Sequence, residues 1–201
     1  MLVPYYSAEM SYTIDMKLIL GLGNPESRYA TTRHNVGFIM CDMLAEQWGA
    51  SFKSTPKFQA DIAETVQNGE KLLLAKSTTY YNEVGQSARA LMDFYKLTPE
   101  DILAIHDDFA LPLGTIRTRY GGSGGGNNGI KSLNAHVGDG TARIRVGIYH
   151  ELRDRINDAD FVLGTFTRAE LQQITADFET IARLVGEFID GNFAATTHRA
   201  E

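Results

Sequence analysis

The sequence predicts a single α/β domain built on a mixed, mostly parallel twisted sheet with helices on both faces. Three observations predict it. A short apolar run at residues 17–21 ends in a glycine-rich turn and leads into helical apolar spacing, a strand-loop-helix unit. Strand-like and helix-like stretches then alternate along the chain rather than separating into blocks. Finally, 201 residues with 43% hydrophobic content fall within the range of one compact domain and supply a continuous core.

The elements follow in order. Residues 17–21 form a buried strand, and Val36, Ile39, Met43 and Leu44 give 35–48 the spacing of a helix. Residues 58–66 and 71–76 read as an antiparallel pair, because Asn68-Gly69 between them is a hairpin signal. Val84, Ala88, Leu91, Met92 and Tyr95 stripe an amphipathic helix over 82–97, punctuated by Thr98-Pro99-Glu100-Asp101. Strands are expected at 102–106, 115–120 and 142–149, with a glycine loop and a helix near 127–136 between the last two. One long helix is expected at 168–189, apolar along Leu171, Ile174, Phe178, Ile181, Leu184, Val185 and Phe188. Because Met16 directly precedes the first strand, residues 1–15 read as a flexible N-terminal extension and 16–201 as the domain.

Composition narrows the class of function. A lone cysteine, Cys41, leaves no intrachain disulfide and no cysteine cluster for structural zinc, which points to the cytoplasm. No apolar run approaches the ~20 residues of a membrane span, and the first fifteen residues lack the charge and apolar pattern of a signal peptide. A formal charge of −6 argues against indiscriminate nucleic-acid coating but leaves room for a local basic patch. Arg117 with Arg119, and Arg143 with Arg145, alternate along two expected strands, so each pair shares one face of its strand. By spacing alone they are equally readable as solvated edge charges.

Several motifs compete for chemistry. Gly21-Leu22-Gly23 lacks the third glycine of a dinucleotide fingerprint, since Glu26 stands there and Pro25 interrupts the helix start. Gly121-Gly122-Ser123-Gly124-Gly125 fits the nucleophile-elbow pattern, with Asp139 and His150 following in triad order. An elbow needs a well-packed turn, however, and glycines give Ser123 no packing, so a binding loop is the competing reading. Among the histidines, His106 is expected to point into packing and His198 to lie in a frayed end. His34 stands at the loop-to-helix junction after the first strand, and both a structural and a catalytic role are open to it. Asp107 follows a strand at the carboxyl end, where open α/β sheets place their sites, and could meet His34 there; as a turn-former it would have no such role. Asn24, Asn82 and Asn128 sit at element boundaries, where asparagine caps helices or turns, yet their amides also suit carbonyl recognition.

Leu20-Gly21-Leu22-Gly23-Asn24-Pro25, continued by Tyr29, Thr32-Arg33-His34-Asn35 and Gly37, resembles the opening signature of bacterial peptidyl-tRNA hydrolases. Thr78-Thr79 with Asn82 and Gly85, His106-Asp107-Asp108 with Leu111-Pro112 and Gly114, the glycine loop with Asn128-Gly129, and Arg145-Val146-Gly147-Ile148 continue the resemblance in family order. It implies a monomeric α/β esterase of the translation cycle, acting in the cytoplasm on peptidyl-tRNA with no metal or cofactor. His34 would be the catalytic base, Asp107 its partner and Asn24 an oxyanion donor. Tyr29, Tyr81, Asn82 and Asn128 would line the peptide site, and Arg117, Arg119 and Arg143 would contact tRNA phosphates. A non-catalytic RNA-binding member of the same fold is the alternative. The chain departs from the family pattern at Glu26, at Tyr81 in the usual methionine place, at Glu83, at Ala110 and at Asn127, where histidine is common.

Overall fold

The computed structural model describes residues 16–199; the expected extension at 1–15 lies outside them. Eight strands form one sheet: β1 (Met16–Gly21), β2 (Lys53–Thr55), β3 (Ala60–Gln67), β4 (Glu70–Ser77), β5 (Ile102–Pro112), β6 (Thr115–Tyr120), β7 (Ala142–Tyr149) and β8 (Thr197–Arg199). Their order across the sheet is β2-β3-β4-β1-β5-β7-β6-β8. The four central strands are mutually parallel, while β3 and β6 run against their neighbours on either side. The helices are α1 (Val36–Gln47), α2 (Gly85–Tyr95), α3 (Asn128–Val137), α4 (Asp158–Leu163), α5 (Arg168–Ala176) and α6 (Phe178–Ile189). None of them is long and apolar enough to cross a membrane.

The pleat of the central strands divides the core in two. Ile19, Leu74, Ile105 and Ile144 face α1 and α6, meeting Met40, Leu44, Ile181 and Leu184. Leu18, Leu20, Leu73 and Ala104 face the opposite way, toward Val84 just before α2, Ala88 and Leu91 of α2, and Ile130 and Leu133 of α3. A strand buried on both faces needs a continuous apolar run, and Leu18, Ile19 and Leu20 are each fully buried.

Four expectations need correction. The helix expected over 168–189 is two helices meeting at Asp177, whose backbone stays in the α region. That buried carboxylate accepts from Gln173 Nε2 at 3.0 Å, an i,i+4 pair that supports the end of α5. The strand expected to stop at His106 continues to Pro112, with a register shift between Asp108 and Pro112. The helix expected from Asn82 begins at Gly85, residues Tyr81–Glu83 forming a separate 3-10 turn. His198 is not in a frayed end but pairs with Ile116 across β8 and β6. The hairpin is as expected: Asn68 and Gly69 have φ of 51° and 86°, the left-handed pair a tight two-residue turn requires.

One close approach places the site. A Cβ on Gly37, in the first turn of α1, would lie 2.3 Å from the Ile105 carbonyl oxygen and 2.5 Å from the Leu22 amide nitrogen. Backbone therefore packs on backbone, and the residues just before α1 are held against the carboxyl end of β1 and the adjoining stretch of β5. Gly37→Ala is expected to lower unfolding free energy by ~1–3 kcal/mol through overpacking. Gly186→Ala on α6, where an added Cβ meets nothing within 4 Å, is expected to be neutral or to stabilise by up to ~1 kcal/mol. Urea denaturation of both variants checks the two signs.

Candidate active site

The carboxyl ends of β1, β4 and β5, with the start of α3, converge on a cleft of about 440 Å³. Asn24 comes from the loop after β1, His34 from the turn leading into α1, Tyr81 and Asn82 from the turn after β4, Asp107 from β5 and Asn128 from α3. Phe109, Val162 and Leu163 supply its apolar side.

Asp107 is buried, and its Oδ1 lies 2.9 Å from His34 Nδ1. An ionised carboxylate can only accept, so Nδ1 carries the proton and Nε2 is left as the basic nitrogen on the cleft side. Burial pushes the Asp107 carboxyl up, but the imidazole and the Tyr81 hydroxyl together outweigh it and hold the group below the ordinary carboxylate range. The Tyr81 hydroxyl donates to the same oxygen at 2.7 Å. Burial, reinforced by the Asp107 charge, raises the phenol well above its usual value and keeps that donor protonated.

Asn24 is oriented from three sides. Its backbone N–H donates to Asn35 Oδ1 at 2.9 Å, and its backbone carbonyl accepts from Asn35 Nδ2 at 2.9 Å. The Tyr81 backbone N–H donates to Asn24 Oδ1 at 2.9 Å. With that oxygen engaged, the Nδ2 donor is the end of the amide presented to the cleft. Asn35, read from the sequence only as a helix start, is thus the strut of the Asn24 loop.

The turn carrying His34 is anchored from behind. Arg33 and Glu170, both buried, form a bidentate pair, with Arg33 Nη2 at 2.8 Å and 2.9 Å from the two carboxylate oxygens. Thr32 and Thr165 form an isolated bridge, and the Arg33 amide donates to the Gly164 carbonyl at 3.0 Å. Nothing local in the sequence pairs residue 33 with residue 170.

Asn82 and Asn128 are exposed on the cleft rim, as a peptide-binding role would require. Tyr29 does not line the cleft; it sits in a 3-10 turn with the Arg28 guanidinium 4.8 Å over its ring. Tyr81, expected to touch substrate, is 3% exposed and engaged with Asp107. Asn127 caps α3 and donates to the Tyr81 hydroxyl at 2.8 Å, a part in the site that the sequence did not indicate.

A second hollow of about 300 Å³ adjoins the cleft, sharing Asp107, Phe109, Gly126 and Asn127 with it. Arg119, Arg143 and Arg145 line it. Pairing of Arg117 with Arg145 and of Arg119 with Arg143 sets all four guanidinium-bearing residues on one face of the sheet. Arg143 is corrected from its expected role in direct phosphate contact. It is 2% exposed and donates to the carbonyls of Gly122 and Ser123 at 2.8 Å and 3.2 Å, holding the glycine loop down. Its burial lowers its pKa to about 10. Arg117 lies outside the hollow and donates to Thr197 Oγ1 at 3.2 Å. Arg145, not singled out for phosphate from the sequence, lines the hollow while paired with Asp108 at 2.5 Å.

The nucleophile-elbow reading of Ser123 fails on distance. Asp139 precedes β7 and His150 follows it, so a strand rising ~3.3 Å per residue holds those two groups roughly 25 Å apart.

Comparison with known proteins follows the same outline. A family model described as peptidyl-tRNA hydrolase matches residues 18–201. A peptidyl-tRNA hydrolase of Lactiplantibacillus plantarum is 44% identical over 186 residues, 92% of this chain and 99% of that protein. One of Desulfitobacterium hafniense is 48% identical over 157 residues, 78% of this chain and 83% of that protein. The crystal structure of peptidyl-tRNA hydrolase from Acinetobacter baumannii superposes with a TM-score of 0.82 at 35% identity, covering 90% of this chain and 92% of that one.

The anchor behind His34 is open to test. Glu170→Gln leaves the Arg33 charge buried without its counter-ion and is expected to cost ~3–5 kcal/mol. Burial pushes the Glu170 carboxyl up, but the Thr167 amide and Arg33 outweigh it and bring it below the ordinary value of 4.5. Stability from a depressed carboxyl is complete above the unfolded value and is lost as pH falls through the folded one. The gap between wild type and variant should therefore narrow below about pH 4.5, as read from denaturation midpoints measured across pH.

Proposed function

This chain belongs to the peptidyl-tRNA hydrolase family, and we propose that it hydrolyses the ester joining a peptide, or an N-blocked amino acid, to the ribose of the tRNA 3′-terminal adenosine. The observation that carries the mechanism is the 2.9 Å bond from His34 Nδ1 to buried Asp107 at the mouth of the cleft. It makes His34 Nε2 the base. This nitrogen takes a proton from water, and the hydroxide attacks the ester carbonyl carbon. The developing oxyanion is met by the Asn24 Nδ2 donor, whose orientation is fixed in advance by Tyr81 and Asn35. Collapse of the tetrahedral intermediate breaks the bond to the ribose oxygen, which takes the proton from the imidazolium. No covalent enzyme intermediate forms, and tRNA and free peptide leave.

Asn82 and Asn128 on the rim pair with peptide amides, and Phe109, Val162 and Leu163 accept apolar side chains. Tyr29, outside the cleft lining, takes part only once substrate reaches past the rim. The basic hollow continues the cleft on its other side and suits the phosphates of the acceptor end. Arg119 lines that hollow, Arg117 flanks it, and Arg143 acts indirectly by holding the loop. The reaction runs in the cytoplasm with the protein as a monomer. Cys41 takes no part: burial raises its thiol to about 12.

Release of labelled N-acetyl amino acid from N-acetyl-aminoacyl-tRNA tests the reading. A folded His34→Ala variant should lose ~10²–10⁴-fold in turnover while binding tRNA nearly as wild type; equal activity in the two proteins would exclude this mechanism. A double Arg117→Ala, Arg119→Ala variant should bind tRNA more weakly. Its log-log salt slope should be shallower by ~0.7–0.9 for each phosphate that is no longer neutralised, measured by filter binding over a salt series. An unchanged slope would remove these arginines from the interface.

A further inference from the structure

Asp107 Oδ1 serves two donors at once, His34 Nδ1 at 2.9 Å and the Tyr81 hydroxyl at 2.7 Å. The Tyr81 ring also lies flat on the imidazole, with centroids 3.5 Å apart and planes 15° from parallel. Asn127 Nδ2 donates to the same hydroxyl at 2.8 Å, which polarises the phenol toward Asp107. Space for the ring depends on Gly129, where a Cβ would lie 2.4 Å from the Tyr81 ring. The two hydrogen bonds require a hydroxyl at this position, and the stack requires only an aromatic ring. A methionine at this position would offer no hydroxyl donor.

We infer that Tyr81 is a positioning residue that sets the working range of the base, by competing with His34 for the charge of Asp107. A carboxylate that already accepts a strong hydrogen bond stabilises a neighbouring imidazolium less. His34 therefore gives up its proton at a lower pH than it would beside Asp107 alone, and stays unprotonated, as a base must be, further into acid. The stacked ring and the Asn127 bond hold the donor in line.

The other charged or titratable groups around the pair do not replace this effect. Arg33, next in sequence, is turned back onto Glu170. His106 Nδ1 donates to the Asp107 backbone carbonyl at 2.7 Å, and burial, the largest influence on it, lowers it to about 4, so it is neutral. Asp108 is paired with Arg145, and Lys131 with the Asn128 side chain. Glu83 is exposed beyond Asn82, and Asp158 faces the cleft from α4.

The catalytic meaning of this inference rests on the hydrolase reading, but its physical content does not. The test is a titration of the His34 Cε1–H resonance by NMR in wild type and Tyr81→Phe, with the signal assigned by its loss in His34→Ala. Removing only the hydroxyl is expected to raise the midpoint by at least about half a pH unit, a roughly 3-fold change in the protonation constant. Asn127→Ser keeps a helix-capping oxygen and removes the donor to the phenol; it should move the midpoint in the same direction, by less. It also serves if Tyr81→Phe does not fold. An unmoved or lowered midpoint in the folded variants overturns the inference. The acid limb of the pH dependence of kcat/KM for N-acetyl-aminoacyl-tRNA should shift with the NMR midpoint. A shift in the NMR midpoint of a protein that cleaves nothing would keep the inference and sink the hydrolase reading; a fall in rate with no shift in either profile would do the reverse.

Discussion

A carboxylate 1% exposed to solvent organises this molecule's chemistry. Desolvating Asp107 is unfavourable unless its charge is met by donors, and the fold meets it from two separate elements. The turn before α1 brings His34 and the turn after β4 brings Tyr81, with Asn127 at the start of α3 bracing the phenol. Because the carboxylate has no proton to give, both partners must donate, which fixes the imidazole tautomer and the phenol rotor together. The orientation of Asn24 follows from the same turn, since the Tyr81 backbone amide occupies its carbonyl oxygen. Satisfying one buried charge thus aligns the His34 imidazole and the Asn24 amide.

That alignment needs the turn carrying His34 to stay in place, and the fold secures it from opposite sides. In front, Gly37 lets the first turn of α1 touch the end of β1 and the adjoining stretch of β5 with no side chain between them. Behind, Arg33 reaches residue 170 through a buried bidentate pair that ties the turn to α5. Such a pair gives little net stability over an apolar replacement, but breaking it is costly. Its value here is positional.

What the sequence revealed follows from how local each cause is. Strands buried on both faces announce themselves as apolar runs, and α2 by its stripe, so the central sheet and the helices on its two faces were legible. Elements too short for a period were not: β2 and β8 are three residues each and α4 is six. The end of β5 was missed because Asp107 and Asp108 look like turn residues, and only pairing with Val146 and Gly147 makes them strand. His34, Asp107 and Asn24 each had an ordinary local explanation, and the choice between the two roles came from resemblance across several motifs. The structure brings the three together through contacts 11 to 73 residues apart in the chain, with Tyr81 linking Asn24 to Asp107, a separation no local pattern encodes.

The arginines show the same limit in electrostatic form. Alternation put Arg117 with Arg119 on one face of β6 and Arg143 with Arg145 on one face of β7, and the register of the two strands makes it the same face of the sheet. It could not say which of them a later segment would cover. The glycine loop answers that: Gly122, at φ 92°, leaves room where a Cβ would lie 1.6 Å from the Arg119 guanidinium, and its carbonyl accepts from Arg143. At Gly122 the φ of 92° strains any side chain, and an added Cβ would displace the Arg119 guanidinium that lies against the backbone. The loop that resembled a nucleophile elbow is therefore better understood as the cover of a basic hollow. By burying Arg143 and resting on Arg119, it concentrates positive charge beside the cleft of a protein whose formal charge is −6.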